Sequence, residues 1–261
     1  MTLEILNLTF SYGKNTHEVL REVTFSVNEG DLLAVLGPNG VGKSTMFRCI
    51  LGFLKNYKGS VFLDKTDIKN LSYKEIARKI AYIPQSTYPV FNFTVMDVVL
   101  MGLTNQISLL SEPKKKHVEE AMVAMESLGI AHLKYAGYGE ISGGERQLAL
   151  IARALVQKAK ILIMDEPTAN LDYGNQARVM RRIANLTKKG YIVILSTHNP
   201  DHAFLYANRV LMIRGGRVIA DGRPEDVMTK SLIEDVYGVN VNIEDYRNVC
   251  RVHKICIPLD E

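Results

Sequence analysis

Several things are scarce in these 261 residues, and each scarcity removes a class of protein. Cysteine is one: Cys49, Cys250 and Cys256 are an odd set of three, which supports no disulfide framework and fits a reducing compartment. An excess of one charge is another. Lys+Arg 32 against Asp+Glu 28 leaves +4, too little to argue for a nucleic-acid partner without clustering. No apolar run approaches the roughly 18–20 residues that cross a bilayer. Tandem repeats and low-complexity tracts are missing. The opening MTLEILNLTF has no basic stretch leading into an apolar one, so no secretory signal is expected. What the chain has in quantity is apolar sequence, 47% of it, enough for a sizeable core and too much for a disordered state. The expectation is a soluble, cytosolic protein with one large domain, or one domain carrying an inserted subdomain, at roughly 150 residues per domain. Any link to a membrane would run through a partner.

Hydrophobic patterning organises the chain. Leu3, Ile5, Leu8 and Phe10 roughly alternate with polar positions, as a strand does. The run from Asp31 to Leu36 is continuously apolar, as are Ile161–Met164 and Tyr191–Leu195, and such runs suit strands covered on both faces of a parallel sheet. Between them lie stretches of helical character at Lys43–Leu54, Lys114–Leu128, Glu145–Gln157 and Gln176–Lys189. Strands alternating with helices predict an α/β layered domain. Arg209–Ile213 and Arg217–Ala220 flank Arg214-Gly215-Gly216 as a hairpin would. From about Ser86 to Val156 buried-strand runs are missing, which predicts a helical insertion. The division that follows is an α/β core at 1–85 and 157–230, a helical subdomain at 86–156 and a C-terminal extension at 231–261.

The chemistry begins with Gly37, Pro38, Asn39, Gly40, Val41, Gly42, Lys43, Ser44 and Thr45, which spell G-x-x-x-x-G-K-[ST] between a strand and a helix. Phosphate oxygens need backbone N–H groups at close range, so Gly40 and Gly42 leave out side chains. The helix starting near Lys43 turns its unpaired N–H groups and positive dipole end toward the anion. Lys43 adds a point charge for the β- and γ-phosphates, and the Ser44 hydroxyl can ligate Mg²⁺. The strand Ile161–Met164 ends in Asp165-Glu166-Pro167, delivering two carboxylates where α/β sheets bind ligands. Asp165 would hold Mg²⁺ and Glu166 would polarise the attacking water. His198 follows another buried strand, where an imidazole could hydrogen-bond the γ-phosphate.

A second anion site is written into Ile141-Ser-Gly-Gly-Glu-Arg-Gln147. Ser142 and Glu145 have capping-box spacing, and Leu148, Ile151, Ala152 and Leu155 follow as one helix face. Gly143 and Gly144 in the first turn each weaken a helix by about 0.5–1 kcal/mol relative to Ala. Something must therefore approach the backbone closely. A phosphate would explain it, and so would glycines that relieve crowding in a plain capped helix.

Taken together, GPNGVGKST, the glutamine of Tyr82-Ile-Pro-Gln85, ISGGE, ILIMDEP, Ala169-Asn-Leu-Asp172 and the histidine of Ser196-Thr-His198 resemble the ATP-binding subunit of ABC transporters over about residues 2–225. The resemblance implies a P-loop NTPase (RecA-like) core with a mixed sheet, N-terminal antiparallel β elements and an inserted α-helical subdomain. It also implies a head-to-tail dimer in which each ATP–Mg²⁺ lies between one chain's phosphate loop and the other chain's Ser142, Gly143, Gly144 and Glu145. By the same resemblance Gln85 senses the γ-phosphate and Mg²⁺, Asp172 contacts the second copy, and Tyr12 stacks on adenine, worth roughly 1–3 kcal/mol. Phe93–Gly102 and Glu145–Ala154 look most like subunits that power import of iron–siderophore complexes, haem or cobalamin. Those subunits sit at the cytoplasmic face of the membrane and work with two permease subunits and, indirectly, a substrate-binding protein. Departures are Ile141 where Leu is usual, Glu145 where many carry Gln, Ala169-Asn170 where Ser-Ala is common, and Leu103 where relatives continue with Arg.

A competing function is a soluble ABC-type ATPase acting on a protein, ribosome or DNA. Such proteins often carry two cassettes, coiled-coil insertions or strongly basic tracts, and none is found here. Three lesser signals remain. Lys114-Lys-Lys-His117 reads as a solvated helix face; Cys250, His253 and Cys256 have a spacing that could hold a metal; Met96 and Met101 could belong to a docking patch or to the core.

Overall fold

The computed structural model of the protein describes residues 1–13, 17–85, 92–106, 113–248 and 251–259. Its centre is a six-stranded sheet in the order β10-β9-β3-β8-β7-β6. The strands are β3 (Leu32–Leu36), β6 (Ile80–Ile83), β7 (Ile161–Met164), β8 (Ile192–Thr197), β9 (Arg209–Arg214) and β10 (Arg217–Gly222). All pairings are parallel except β9 with β10, so the sheet is mixed.

The continuous apolar runs have a simple cause. Side chains alternate across a strand, and both faces of this sheet are covered. On β3, Leu32, Ala34 and Leu36 enter one core with the helical layer, while Leu33 and Val35 enter a second core on the other face. β7 and β8 divide likewise: Leu162, Met164, Val193 and Leu195 lie on the first side, Ile161, Ile163, Ile192 and Ile194 on the second. Each fully buried side chain of this size contributes about 1.5–3 kcal/mol of apolar transfer free energy.

The second core is roofed by an antiparallel sheet in the order β2-β1-β4-β5, formed by β1 (Thr2–Phe10), β2 (Leu20–Asn28), β4 (Lys58–Leu63) and β5 (Thr66–Asp67). Helix α1 (Lys43–Ile50) fills it, with Met46, Phe47 and Ile50 fully buried. Helix α1 ends four residues short of the expected Leu54, and α2 (Tyr73–Lys79) leads into β6. Between β6 and β7 the described residues carry no strand. They form α3 (Val95–Leu100), α4 (Lys115–Leu128), α5 (Gly143–Val156) and short 3-10 turns at Met101–Leu103 and Ala131–Leu133. Val98, Val99, Met125, Leu148 and Ile151 join these helices to the first core. Met122 is half-buried, the lysines of the 114–116 run are exposed, and Met96 packs against the core while Met101 is exposed.

Helix α6 (Tyr173–Thr187) packs against β8 and α5, and α7 (Pro200–Tyr206) follows β8. Beyond β10 the chain adds α8 (Pro224–Val227), α9 (Lys230–Tyr237) and a hairpin of β11 (Val241–Asn248) with β12 (Arg251–Pro258). This last unit had no clear pattern in the sequence. No helix among the described residues is long and apolar enough to cross a membrane.

Candidate functional site

The C-terminal end of β3 runs straight into the glycine-rich loop, and α1 starts at Lys43. Gly42 is the N-cap of α1 at φ 105°, a conformation that favours glycine. A Cβ on Gly42 would lie 2.8 Å from Leu20 Cδ2 and 2.9 Å from the Val19 carbonyl oxygen. That glycine is therefore required by the chain's own backbone and by the start of β2. At Gly40 a Cβ would meet nothing, which leaves the space open for a phosphate. Lys43 is 6% exposed, and its Nζ donates to the carbonyl oxygens of Gly37 at 2.6 Å and Pro38 at 3.1 Å. Burial pulls its pKa below the ordinary lysine value, and the nearby Glu166 and Asp165 carboxylates oppose that shift. Phosphate oxygens are better partners for a desolvated ammonium than two neutral carbonyls. A cavity of about 290 Å³ opens here, lined by Tyr12, Gly40, Lys43, Ser44, Thr45 and Glu166 among others. Tyr12 is 57% exposed and edge-on to Phe10, and its hydroxyl shares a 3.0 Å hydrogen bond with Thr45 Oγ1.

At the end of β7 two adjacent carboxylates receive different surroundings. Asp165 is buried: its Oδ1 accepts from Ser196 Oγ at 2.6 Å and its Oδ2 from the Tyr82 hydroxyl at 3.5 Å. Burial, with the Asp165 charge adding to it, pushes the Tyr82 phenol up to about 12, so it stays a donor at neutral pH. Glu166 has φ 46°, a left-handed conformation costing about 1–3 kcal/mol at a residue other than glycine. Its N–H is held by Ser196 Oγ at 2.9 Å. The same serine hydroxyl thus orients both carboxylate residues. Turned this way, Glu166 Oε2 accepts from Gln85 Nε2 at 3.2 Å and lies 3.7 Å from Nδ1 of the exposed His198. The Asp165 N–H, bonded to the Ile83 carbonyl at 2.9 Å, brings the segment that carries Gln85 to the end of β7.

The start of α5 is capped as its spacing predicts. Ser142 Oγ accepts from the Glu145 N–H at 3.3 Å, and Glu145 Oε2 accepts from the Ser142 N–H at 2.9 Å and from its hydroxyl at 2.7 Å. The glycines gain a reason within the same chain. A Cβ on Gly144 would lie 2.7 Å from Asn175 Cγ and Oδ1, and one on Gly143 would lie 3.1 Å from Leu171 Cδ2. Asp172 caps α6: its Oδ1 accepts from the Asn175 N–H at 2.9 Å and its Oδ2 from Asn175 Nδ2 at 2.6 Å. Those bonds lower the Asp172 pKa and fix the Asn175 amide against Gly144.

The predicted residues therefore fall into two groups. Tyr12, Asn39, Gly40, Gly42, Lys43, Ser44, Thr45 and Glu166 line one cavity, Gln85 and His198 adjoin it through Glu166, and Asp165 through Ser196. Ser142, Gly143, Gly144, Glu145 and Asp172 form another cluster, and among the described residues no hydrogen bond or ion pair joins it to the first. Sequence reasoning passed over Ser196, Tyr82 and Asn175. The Asp-x-x-Asn spacing of a capped helix start was the available signal for Asn175. Cys250 and the side chain of His253 lie outside the described residues, and among the described residues no three His, Cys, Asp or Glu side chains are placed to hold a metal.

Comparison with known proteins agrees with this geometry. The family model described as ABC transporter matches residues 20–169. The chain is 34% identical over 239 residues to the ferric enterobactin transport ATP-binding protein FepC of Escherichia coli K12, covering 91% of this chain and 88% of FepC. It is 35% identical over 243 residues to the hemin import ATP-binding protein HmuV of Hahella chejuensis, covering 90% and 93%. Among solved structures, an inward-facing metal-chelate type ABC transporter matches with a TM-score of 0.88 at 29% identity, covering 100% of this chain and 98% of that one. A phosphate loop, two strand-end carboxylates and a capped glycine helix, found in a chain matched over more than half its length by that family model, identify it as a member of the ABC transporter family: an ATP-binding subunit and an ATPase.

Proposed function

We propose that two copies of this chain bind two ATP molecules head to tail, close on them, hydrolyse them and reopen, driving import of a metal chelate such as an iron–siderophore complex, haem or cobalamin. The observation that carries the reading is that, among the described residues, no hydrogen bond or ion pair joins the two clusters. The phosphate loop and its carboxylates lie together in one chain without the capped glycine helix bonded to them, so a second copy would bring its Ser142–Glu145 segment to the first copy's nucleotide. The likeness to FepC and HmuV, whose names give ferric enterobactin and hemin, supports the metal-chelate class.

In this reading Lys43 leaves the Gly37 and Pro38 carbonyls for the β- and γ-phosphates. Tyr12 leaves Thr45 to stack on adenine. Glu166 takes the proton of the attacking water, with Gln85 and His198 fixing its carboxylate. Closure excludes water and strengthens every charge interaction inside. The donor set also suits Mg²⁺. Ser44 is exposed on the cavity wall and Asp165 is a buried carboxylate bonded to Ser196, oxygen donors of the kind a hard cation takes. Ser44, Asp165 and Gln85 would hold the ion, which would neutralise charge on the transferring phosphoryl group. Phosphoryl transfer then rests mainly on positioning and electrostatics.

The partners proposed are two transmembrane permease subunits, reached through the Gln85–Val99 region, and indirectly a substrate-binding protein. The chain would be peripheral at the cytoplasmic face of the membrane. Purification from detergent-solubilised membranes tests this: polytopic subunits should accompany the chain. Recovery of ribosomes, nucleic acid or assembly factors in their place would move it to the soluble class of ABC ATPases.

A further inference from the structure

The C-terminal unit plays no part in the function proposed above, yet it reaches the nucleotide site. Helix α9 is firmly tied to the core. The Thr229 hydroxyl caps it, Ile233 and Val236 are buried, and Asp235 pairs with Arg214 at the end of β9. Tyr237, its last residue, is thereby set against the start of the phosphate loop. The Gly37 N–H donates to the Tyr237 hydroxyl at 3.2 Å across 200 residues of sequence. The carbonyl of the same glycine accepts from Lys43 Nζ at 2.6 Å. On its other side Gly37 is confined by β9, where a Cβ would come within 2.4 Å of the Ile213 carbonyl oxygen. A second tie fastens the hairpin. The Cys256 N–H donates to Asp201 Oδ1 at 2.8 Å, in the first turn of α7, three residues past His198. Burial pushes the Tyr237 phenol up to about 12, so this contact does not titrate near neutral pH.

We propose that Tyr237 is a positioning residue for the nucleotide. Through the Gly37 N–H it holds the start of the phosphate loop in the conformation that receives the triphosphate. The C-terminal unit then sets nucleotide affinity from within the same chain. Without the hydroxyl, the Gly37 N–H loses its partner in a half-buried place. Binding must then order a loop start that is otherwise ordered in advance. The loss expected is about fivefold in affinity, the equivalent of one neutral hydrogen bond.

The inference rests on the ATP-site reading, and one experiment separates the two. ATP is titrated calorimetrically into the full-length wild-type chain, Tyr237→Phe, which keeps the ring and removes only the hydroxyl, and Ile233→Val, which trims packing on the same helix. The thermal midpoint of each is recorded without nucleotide. Tyr237→Phe should bind about fivefold more weakly, while Ile233→Val should lose thermal stability at nearly unchanged affinity. Equal affinity in Tyr237→Phe overturns the positioning role. So does an equal loss in Ile233→Val, because it reduces Tyr237 to packing. A wild-type chain that binds no ATP overturns the site reading itself. If Tyr237→Phe does not fold, hydrogen exchange of the nucleotide-free wild-type chain decides. The Gly37 amide should be protected, and exchange as fast as an open loop amide refutes the bond.

Discussion

Glu166→Gln isolates the step on which hydrolysis depends. The substitution keeps the shape of a side chain that is only 16% exposed, and its amide oxygen can still accept from Gln85 Nε2. Ser196 still holds the backbone N–H of residue 166 at 2.9 Å, so the left-handed turn that aims the side chain survives. What disappears is the capacity to take a proton. General-base catalysis is worth roughly 10²–10⁴ in rate, or about 2.7–5.4 kcal/mol at 1.36 kcal/mol per tenfold. Nucleotide binding moves the other way, because one negative charge leaves a cavity that receives a triphosphate beside Lys43. Steady-state phosphate release should therefore fall at least a hundredfold, on the order given for a lost general base, while ATP affinity holds or tightens. Hydrolysis near the wild-type rate would remove Glu166 from the base role. Loss of ATP binding in a folded variant would show that the carboxylate shapes the loop instead.

Two further outcomes test the second cluster. Gly144→Ala drives a methyl into the Asn175 amide, 2.7 Å away and pinned by Asp172. Overpacking of this kind costs about 1–3 kcal/mol, and the loss, read by chemical denaturation, should shrink in an Asn175→Gly background; additive losses would contradict the packing account. The Glu145 carboxyl is held below its ordinary 4.5 by bonds from the Ser142 hydroxyl and N–H. Stability from that charge is complete above about pH 4.5 and is lost as pH falls through the lower folded-state value. The gap in thermal midpoint between wild type and Glu145→Gln should thus be constant near neutrality and close on acidification. A gap that stays open in acid would assign the difference to shape rather than charge.

How much was legible depended on range along the chain. The 37–45 loop is a local code, since a strand, a run of glycines and a helix start lie within one short stretch. Strands covered on both faces announce themselves as unbroken apolar runs, and β7 falls on Ile161–Met164 as expected. The capping box of α5 lies within four residues and was equally readable. Contacts between distant segments were not. Nothing near Gly144 says that Asn175 occupies the space of its missing side chain. Nothing near Gly37 says that a tyrosine 200 residues on will hold its amide. Gly42 illustrates the same limit, because its reason is split between a left-handed φ and the approach of Val19 and Leu20. The terminal hairpin was illegible because its strands mix charged and apolar positions without strict alternation, as in VNIEDYRN.

In the proposed function one copy holds only part of the reaction centre. Sedimentation velocity of the Glu166→Gln chain, with and without ATP and Mg²⁺, reports on this without relying on turnover. The prediction is a single-chain species without nucleotide and a two-chain species with it. A single-chain species that persists while saturated with ATP would contradict the claim.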